Sequence, residues 1–478
     1  MTTPQILALL PLIILALTAI VVMLVSACCR NHRAVVILTL LGLITAFGSI
    51  AIAAQYAPIA VARLLVVDPF ALLFTGILLL AGFFVTLFAY GYLEKHPGTP
   101  GEFYILLVLA LLGAVTLVSA AHFASFFLGL EILSISLYAL LAYLRTNPLN
   151  IEAGIKYLVL SSVSSAFLLF GMALVYAELG TMAFTEIAAR TGGGHAIGVL
   201  TMAGLGLIIV GFGFKLALAP FYFWTPDVYQ GAPAPATAFI ATVSKGAVFA
   251  LLLRFFLLLH VRQSMPLLVL FTVLAIASMF IGNLLALHQD NVKRLLAYSS
   301  IANMGYLLVA FLAGGPQAAT AFTFFLIAYI VTILGAFGIV AIFSSARREA
   351  DTLLDYRALA WRHPWLAGAF TVMLLSLAGI PLTAGFLGKF YLLLAGVQSH
   401  LWLLAIILVV NSAVSLYYYL RVIIAMYTHP REGHPEHATP HLTAMDAAAL
   451  TVLTIALFWL GIYPGPLIRL IDAVVRGF

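Results

Sequence analysis

The sequence predicts an all-α polytopic membrane protein of about fourteen transmembrane helices, with two inverted five-helix repeats and two discontinuous helices. Three observations lead there. The 478 residues are 64% hydrophobic and only 8% charged, with a mean hydropathy of +1.17, whereas soluble domains carry about 25% charged residues. Apolar stretches recur at the length of about 20 residues that a hydrocarbon core of about 30 Å requires of a helix. Two of those stretches are interrupted by glycine and proline close to a lysine. Such a composition cannot solvate a soluble surface. It excludes a soluble enzyme, a disordered chain and a nucleic-acid-binding domain, despite the formal charge of +6.

The apolar stretches lie at roughly 6–27, 34–54 and 70–92 (segments 1–3), then 103–119, 121–144, 153–178, 199–232 and 236–259 (segments 4–8). Segments 9–13 follow at roughly 266–287, 295–313, 319–345, 365–398 and 401–428, and segment 14 at 445–463. The division of segments 4 and 5 falls at Ala120–His122. Segment 1 is too long for the apolar core of a cleaved signal peptide and no positive charge precedes it, so it is expected to stay in the membrane. Between segments the chain is short, and 1–478 reads as a single membrane domain. Residues 347–363 mix charges with Leu353, Leu354, Tyr356, Leu359 and Trp361, an amphipathic pattern suited to an interface. Thirteen Lys and Arg residues fall on one side of this topology and six on the other. The positive-inside rule makes the first side cytoplasmic and puts both termini outside.

Four charged residues fall well inside apolar segments, away from their ends: Glu131, Lys215, Lys245 and Lys389. A charge at the bilayer centre costs roughly 2.5–3.5 kcal/mol on insertion scales, so such residues face protein or a hydrated cavity. A buried lysine can release a proton because desolvation disfavours its ammonium form, and a nearby glutamate opposes that. The other charged residues are expected in loops and at helix ends.

Segment 7 is interrupted after Gly211-Phe-Gly-Phe-Lys215-Leu-Ala-Leu-Ala-Pro220, and segment 12 at Gly379-Ile-Pro381-Leu-Thr-Ala-Gly385, shortly before Lys389. Proline removes a helix hydrogen bond, and freed backbone groups are tolerated in a membrane only inside protein or beside water. The broken segment is the fourth of five in residues 103–260 (segments 4–8) and again in 265–428 (segments 9–13). An odd repeat length inverts the second bundle relative to the first. Residues 1–102 carry segments 1–3, and 429–478 a cytoplasmic loop and segment 14.

At these residues the chain resembles the antiporter-like, proton-translocating membrane subunits of respiratory complex I (NADH-quinone oxidoreductase), and among them the subunit-N branch. The resemblance spans nearly the whole chain. It rests on Pro220-Phe-Tyr-Phe-Trp-Thr-Pro-Asp-Val-Tyr-Gln-Gly-Ala-Pro233, Asn291-Val-Lys-Arg-Leu-Leu-Ala-Tyr-Ser-Ser-Ile301 and Ser376-Leu-Ala-Gly-Ile-Pro-Leu-Thr-Ala-Gly-Phe-Leu-Gly-Lys-Phe390. Lys389, and the expected lack of a long lateral helix beyond residue 478, are unlike subunits M and L. The resemblance implies a charge-switching pair, Glu131 and Lys215, with Lys245 as the central proton carrier and Lys389 as the terminal one. It also implies partner membrane subunits, including a neighbouring antiporter-like subunit, in a bacterial inner membrane. No cofactor is expected in this chain; FMN, iron–sulfur clusters and quinone would belong to partner subunits. Tyr222 and Asn303 stand where many relatives have histidine. Neither readily gains a proton near neutral pH, so a relay here would rest more on water between lysines.

Other signals have plainer readings. Gly204, Gly206, Gly211 and Gly213 suit close helix packing. The histidines 429, 434, 437 and 441 suit a solvated loop better than a metal site. Tyr417, Tyr418 and Tyr419 suit an interfacial belt, Asp227 anchors the short helix after the first break, and Lys293 and Arg294 hold the start of segment 10 at the cytoplasmic surface. Cys28 and Cys29 are adjacent and cannot build a disulfide framework. The alternatives are a subunit of a multi-subunit sodium–proton antiporter or membrane-bound hydrogenase, and a structural membrane spacer that moves no ions.

Overall fold

A computed structural model describes residues 2–96, 100–191, 197–259, 264–346, 348–429 and 442–475. Among the described residues thirteen helices are long and apolar enough to cross a membrane. Two shorter apolar helices, Pro364–Ala378 and Ala384–Gln398, together form segment 12. Segments 4 and 5 are Gly101–Val118 and Phe123–Leu141, divided where the sequence suggests. Side chains cap several entries, supplying the acceptors that a helix start lacks. Asp68 accepts from Ala71 N ahead of Pro69, Asn147 from Leu149 N ahead of Pro148, and Asn291 from Arg294 N. The longest, Pro148–Leu179, ends at Gly180, whose φ of 63° is a left-handed cap that glycine adopts without strain.

The layering follows from which helices keep a lipid-facing side. Segment 8 (Ala234–Leu258) and segment 10 (Val292–Ala313) are almost wholly buried, and segment 11 (Gly315–Phe343) nearly so. Segments 1 (Leu10–Cys28), 2 (His32–Ala53), 6 (Pro148–Leu179), 9 (Met265–Ala286), 13 (Trp402–Tyr427) and 14 (Ala444–Ile462) form the rim. Segments 6 and 7 cross at Gly171 and Gly204. A Cβ added at either would lie 2.6 Å from the other's carbonyl oxygen, so the small residues set the approach. Gly206, expected to do the same, faces open space.

Several features lie outside the apolar pattern. A two-stranded hairpin, Ile59–Val61 with Leu65–Val67, is joined to the segment 4–5 turn by a bridge from Leu65 to Ala120. A short helix, Phe184–Thr191, and a final one, Gly465–Val475, flank the bundle, the latter held by Thr320 Oγ1 donating to Asp472 at 2.6 Å. Two short elements carry the amphipathic pattern within residues 348–363. They are a 3-10 turn, Leu353–Tyr356, and one helical turn, Leu359–Arg362, burying Tyr356 and Leu359 and exposing Leu354 and Trp361. Arg347 lies outside the described residues, as do Arg262, Arg431, Arg476 and the histidines 434, 437 and 441. His429 stacks on Trp361 with ring centres 4.4 Å apart.

Candidate functional site

Both interrupted segments satisfy their freed backbone groups inside protein. The first half of segment 7, Val199–Leu216, stops at Ala217, with φ of 59°. Leu218 N returns to Gly213 O at 2.8 Å, Ala219 N donates to Ser278 Oγ at 2.9 Å, and Trp224 Nε1 donates to Phe214 O at 2.9 Å. The second piece, Trp224–Gly231, then leads into segment 8. In segment 12 the break is at Gly379, φ 86°, and Gly385 N donates to Ser376 Oγ at 3.2 Å.

The three lysines are buried and each is met by hydroxyls. Lys215, in the last turn before the first break, donates to Ser134 Oγ and Ser161 Oγ, both at 2.6 Å. Lys245 follows a single π-helical turn, Ile240–Ser244, and donates to Ser300 Oγ at 2.6 Å. Such π-turns are frequent at functional sites, and nothing in the residue pattern announces this one. Ser300 Oγ in turn bonds Tyr329 Oη at 2.6 Å. Lys389 folds back onto its own break, donating to Leu377 O at 2.7 Å, Ala378 O at 3.0 Å and Ser412 Oγ at 2.9 Å. It thus caps the first half of segment 12 as a cation at a helix C-terminus.

Glu131 is half-buried and does not pair directly with Lys215. Its Oε1 accepts from Ser165 Oγ at 2.6 Å, while Lys215 uses Ser161, one turn earlier on segment 6 and about 6 Å away along the axis. Tyr138 Oη also donates to Ser161, at 2.9 Å. Segment 6 therefore offers a serine to each, while Lys215 also reaches Ser134 on segment 5, the helix that carries Glu131.

Aromatic rings fill the space between the first two lysines. Lys215 Nζ lies 5.6 Å from the Tyr157 ring centre and Lys245 Nζ 5.4 Å from that of Tyr229, with Trp224 between the two tyrosines. Cations are attracted to such faces. Between Lys245 and Lys389 a small cavity is lined by Tyr329, Asn303, Thr332, Ser376 and Lys389. About 10 Å³ of it is open to a water centre, roughly what one water needs. Asn303 is buried there and donates to Ser299 O at 2.9 Å, whereas Tyr222 sits half-buried in the turn after the first break, stacked on Phe223. The structure thus brings Asn303 to the polar series and leaves Tyr222 at its margin.

More charge is buried than the segment pattern suggests. Lys293, expected at the surface, is fully buried and donates to Ala232 O at 2.6 Å and Glu349 at 3.1 Å. Arg254, counted with the outer loops, is buried in a two-pronged pair with Asp68, both bonds at 2.8 Å. Asp446 is buried in the capping box at Thr443. Of the three tyrosines expected in a belt only Tyr417 is exposed. Tyr418 donates to Asn283 Oδ1 at 2.9 Å and Tyr419 bonds Ser299. Helix-end position and charge identify such groups only as able to reach water; the packing of distant segments decides that they do not. Asp227 does anchor its helix, bonding Lys156 at 2.6 Å and Arg294 at 2.8 Å. Among the described residues no group of three or more His, Cys, Asp or Glu could hold a metal.

A multi-pass helical bundle with broken helices and buried lysines is the architecture of an antiporter-like membrane subunit. Residues 120–415 match the family described as NADH:quinone oxidoreductase/Mrp antiporter, TM, and the chain belongs to that family. It is similar to a chain of respiratory complex I from Thermus thermophilus, 34% identical over 96% of this chain and 98% of that one, with a TM-score of 0.83. It shares its fold with a chain of an archaeal membrane-bound sulfane sulfur reductase, 24% identical over 99% and 97%, TM-score 0.86. It shares it also with a chain of the Mrp complex of Dietzia sp., 19% identical over 100% and 98%, TM-score 0.87. All three are components of multi-subunit membrane complexes.

Proposed function

We propose that the chain is the subunit-N-type member of a complex I-like NADH-quinone oxidoreductase and moves protons through Glu131, Lys215, Lys245 and Lys389. The observation that carries this reading is the row of buried lysines joined to hydroxyls across segments 5 to 13. A hydroxyl donates and accepts at once, so Ser161, Ser300 and Tyr329 can pass a proton that a lysine releases. Energy would come from redox chemistry in partner subunits holding FMN, iron–sulfur clusters and quinone. Glu131 would act on Lys215 where segments 5, 6 and 7 meet: moving segment 5 relative to segment 7 changes the distance between carboxylate and ammonium, and with it the proton affinity of Lys215. Lys245 would then exchange a proton by way of Ser300 and Tyr329 with the cavity at Lys389.

Lys245→Ala in the assembled complex, reconstituted into vesicles, tests this. Loss of proton uptake with assembly intact is expected. Unchanged uptake would favour a structural spacer, and transport that requires sodium would favour an antiporter complex.

A further inference from the structure

We infer that Glu349 and Lys293 form the mouth through which protons reach Lys245 from the side assigned as cytoplasmic. The inference rests on the proton-moving reading above and adds two residues to it.

A cleft of about 560 Å³ opens beside residues 144–149 and is lined by Tyr92, His96, Gln230, Gly231, Arg348 and Glu349, among others. The Glu349 carboxylate accepts from Tyr92 Oη, from Ser344 Oγ at 3.2 Å and from Lys293 Nζ at 3.1 Å. Lys293 has no exposed surface, so Glu349 is its link to that cleft. On its inner side Lys293 donates to Ala232 O at 2.6 Å. Ala232 follows the short helix whose Tyr229 ring faces Lys245 Nζ at 5.4 Å. Residues 229–232 therefore touch Lys293 at one end and Lys245 at the other.

A second observation is independent of charge. Both amide atoms of Asn150, beside the cleft-lining residues 147–149, are buried with no hydrogen-bond partner among the described residues. Buried polar groups are paired with protein or with ordered water, so water is the partner that suits them. Ser300, the hydroxyl that Lys245 uses, lies two turns beyond Lys293 on segment 10, about 10 Å along the axis. In the step, the proton on Lys293 Nζ passes through water to the free amine of Lys245. The Glu349 carboxylate takes a proton from hydronium in the cleft and hands it to the neutral Lys293 amine, which restores the carboxylate and the ammonium. One proton enters for each that leaves, and no bond other than N–H and O–H changes.

The test uses the assembled complex in sided vesicles and reads proton uptake per electron. Glu349→Gln is expected to lower uptake about tenfold or more, in the range for loss of a proton-transfer group, and Glu349→Asp to retain most of it. Lys245→Ala is measured alongside. If Lys245→Ala abolishes uptake and Glu349→Gln leaves it within about twofold, the mouth is elsewhere and the relay stands. If neither matters, the relay itself fails. Should Glu349→Gln not assemble, Thr146→Cys on the cleft wall decides, in a background where Cys28 and Cys29, both exposed, are replaced by alanine. A bulky, membrane-impermeant thiol reagent should then block uptake from the cleft side only. Full labelling without loss of uptake overturns the inference.

Discussion

Asp68→Asn isolates the worth of one buried charge. Asp68 closes a two-pronged pair with Arg254, whose side chain is 5% exposed against 15% for Asp68. It also caps segment 3 by accepting from Ala71 N. Asparagine caps a helix about as well as aspartate, so the substitution keeps the cap and removes the negative charge together with one of the two acceptors of Arg254. The Arg254 guanidinium, still bonded to Val118 O at 3.2 Å and set over the Phe70 ring, then stays charged with no counter-charge at Asp68. Breaking a buried pair from one side costs about 3–5 kcal/mol, and two-pronged geometry puts this pair in that range. Removing both charges, with Asp68→Asn and Arg254→Met together, should recover most of that loss, because desolvation consumes much of the attraction. The assay is reversible unfolding of the detergent-solubilised protein for the wild type, both single variants and the double variant. A loss below about 1 kcal/mol for Asp68→Asn would mean that water or another group already screens Arg254. A double variant no more stable than the single would refute the reasoning outright, since the penalty could not then come from losing the Asp68 counter-charge.

Other expectations follow from the same geometry. Gly171→Leu should prevent stable assembly, because its Cβ meets the backbone of segment 7, whereas Gly206→Ala should be neutral within about 0.5 kcal/mol; detergent thermal melts compare them. Lys95 lies beyond the end of segment 3 and donates to Ala341 O, Ile342 O and Ser344 O. Burial pushes its ammonium below the ordinary value of 10.5, against the carboxylates of Asp446 and Glu349. A base held below its unfolded value is protonated more in the unfolded chain, so stability should rise with pH between the folded value and 10.5. Lys95→Met should remove that rise, and melting temperatures taken across the alkaline range would show a persistent slope if another group causes it. Tyr418→Phe leaves Asn283 Oδ1 without its donor and should cost about 1–3 kcal/mol, read by chemical unfolding. Ser161→Ala removes a Lys215 acceptor and the acceptor of Tyr138. It should slow proton uptake more than Ser136→Ala, whose hydroxyl only returns to Ile132 O.

Which residues cross the membrane, where two crossings break, and that lysines lie inside them were legible from residue order, because hydropathy and proline act locally. Family membership was legible in three short motifs around residues 220, 291 and 376. What lines the space between the lysines was not. Ser134, Ser161, Ser300, Tyr329 and Ser412 come from five segments, and serine and tyrosine are common enough in membrane helices to carry no signal alone. Glu131 and Lys215 read as a pair from the sequence; the serine that segment 6 sets against each was not legible there. Lys293, Arg254 and Tyr418 read as surface groups because each lies near a helix end. Only the stacking of segments far apart in sequence closes over them. Local chemistry determined that this chain enters a membrane with charge inside it. Tertiary packing decided which charges meet water and which meet one another, because burial belongs to the neighbours that a residue acquires.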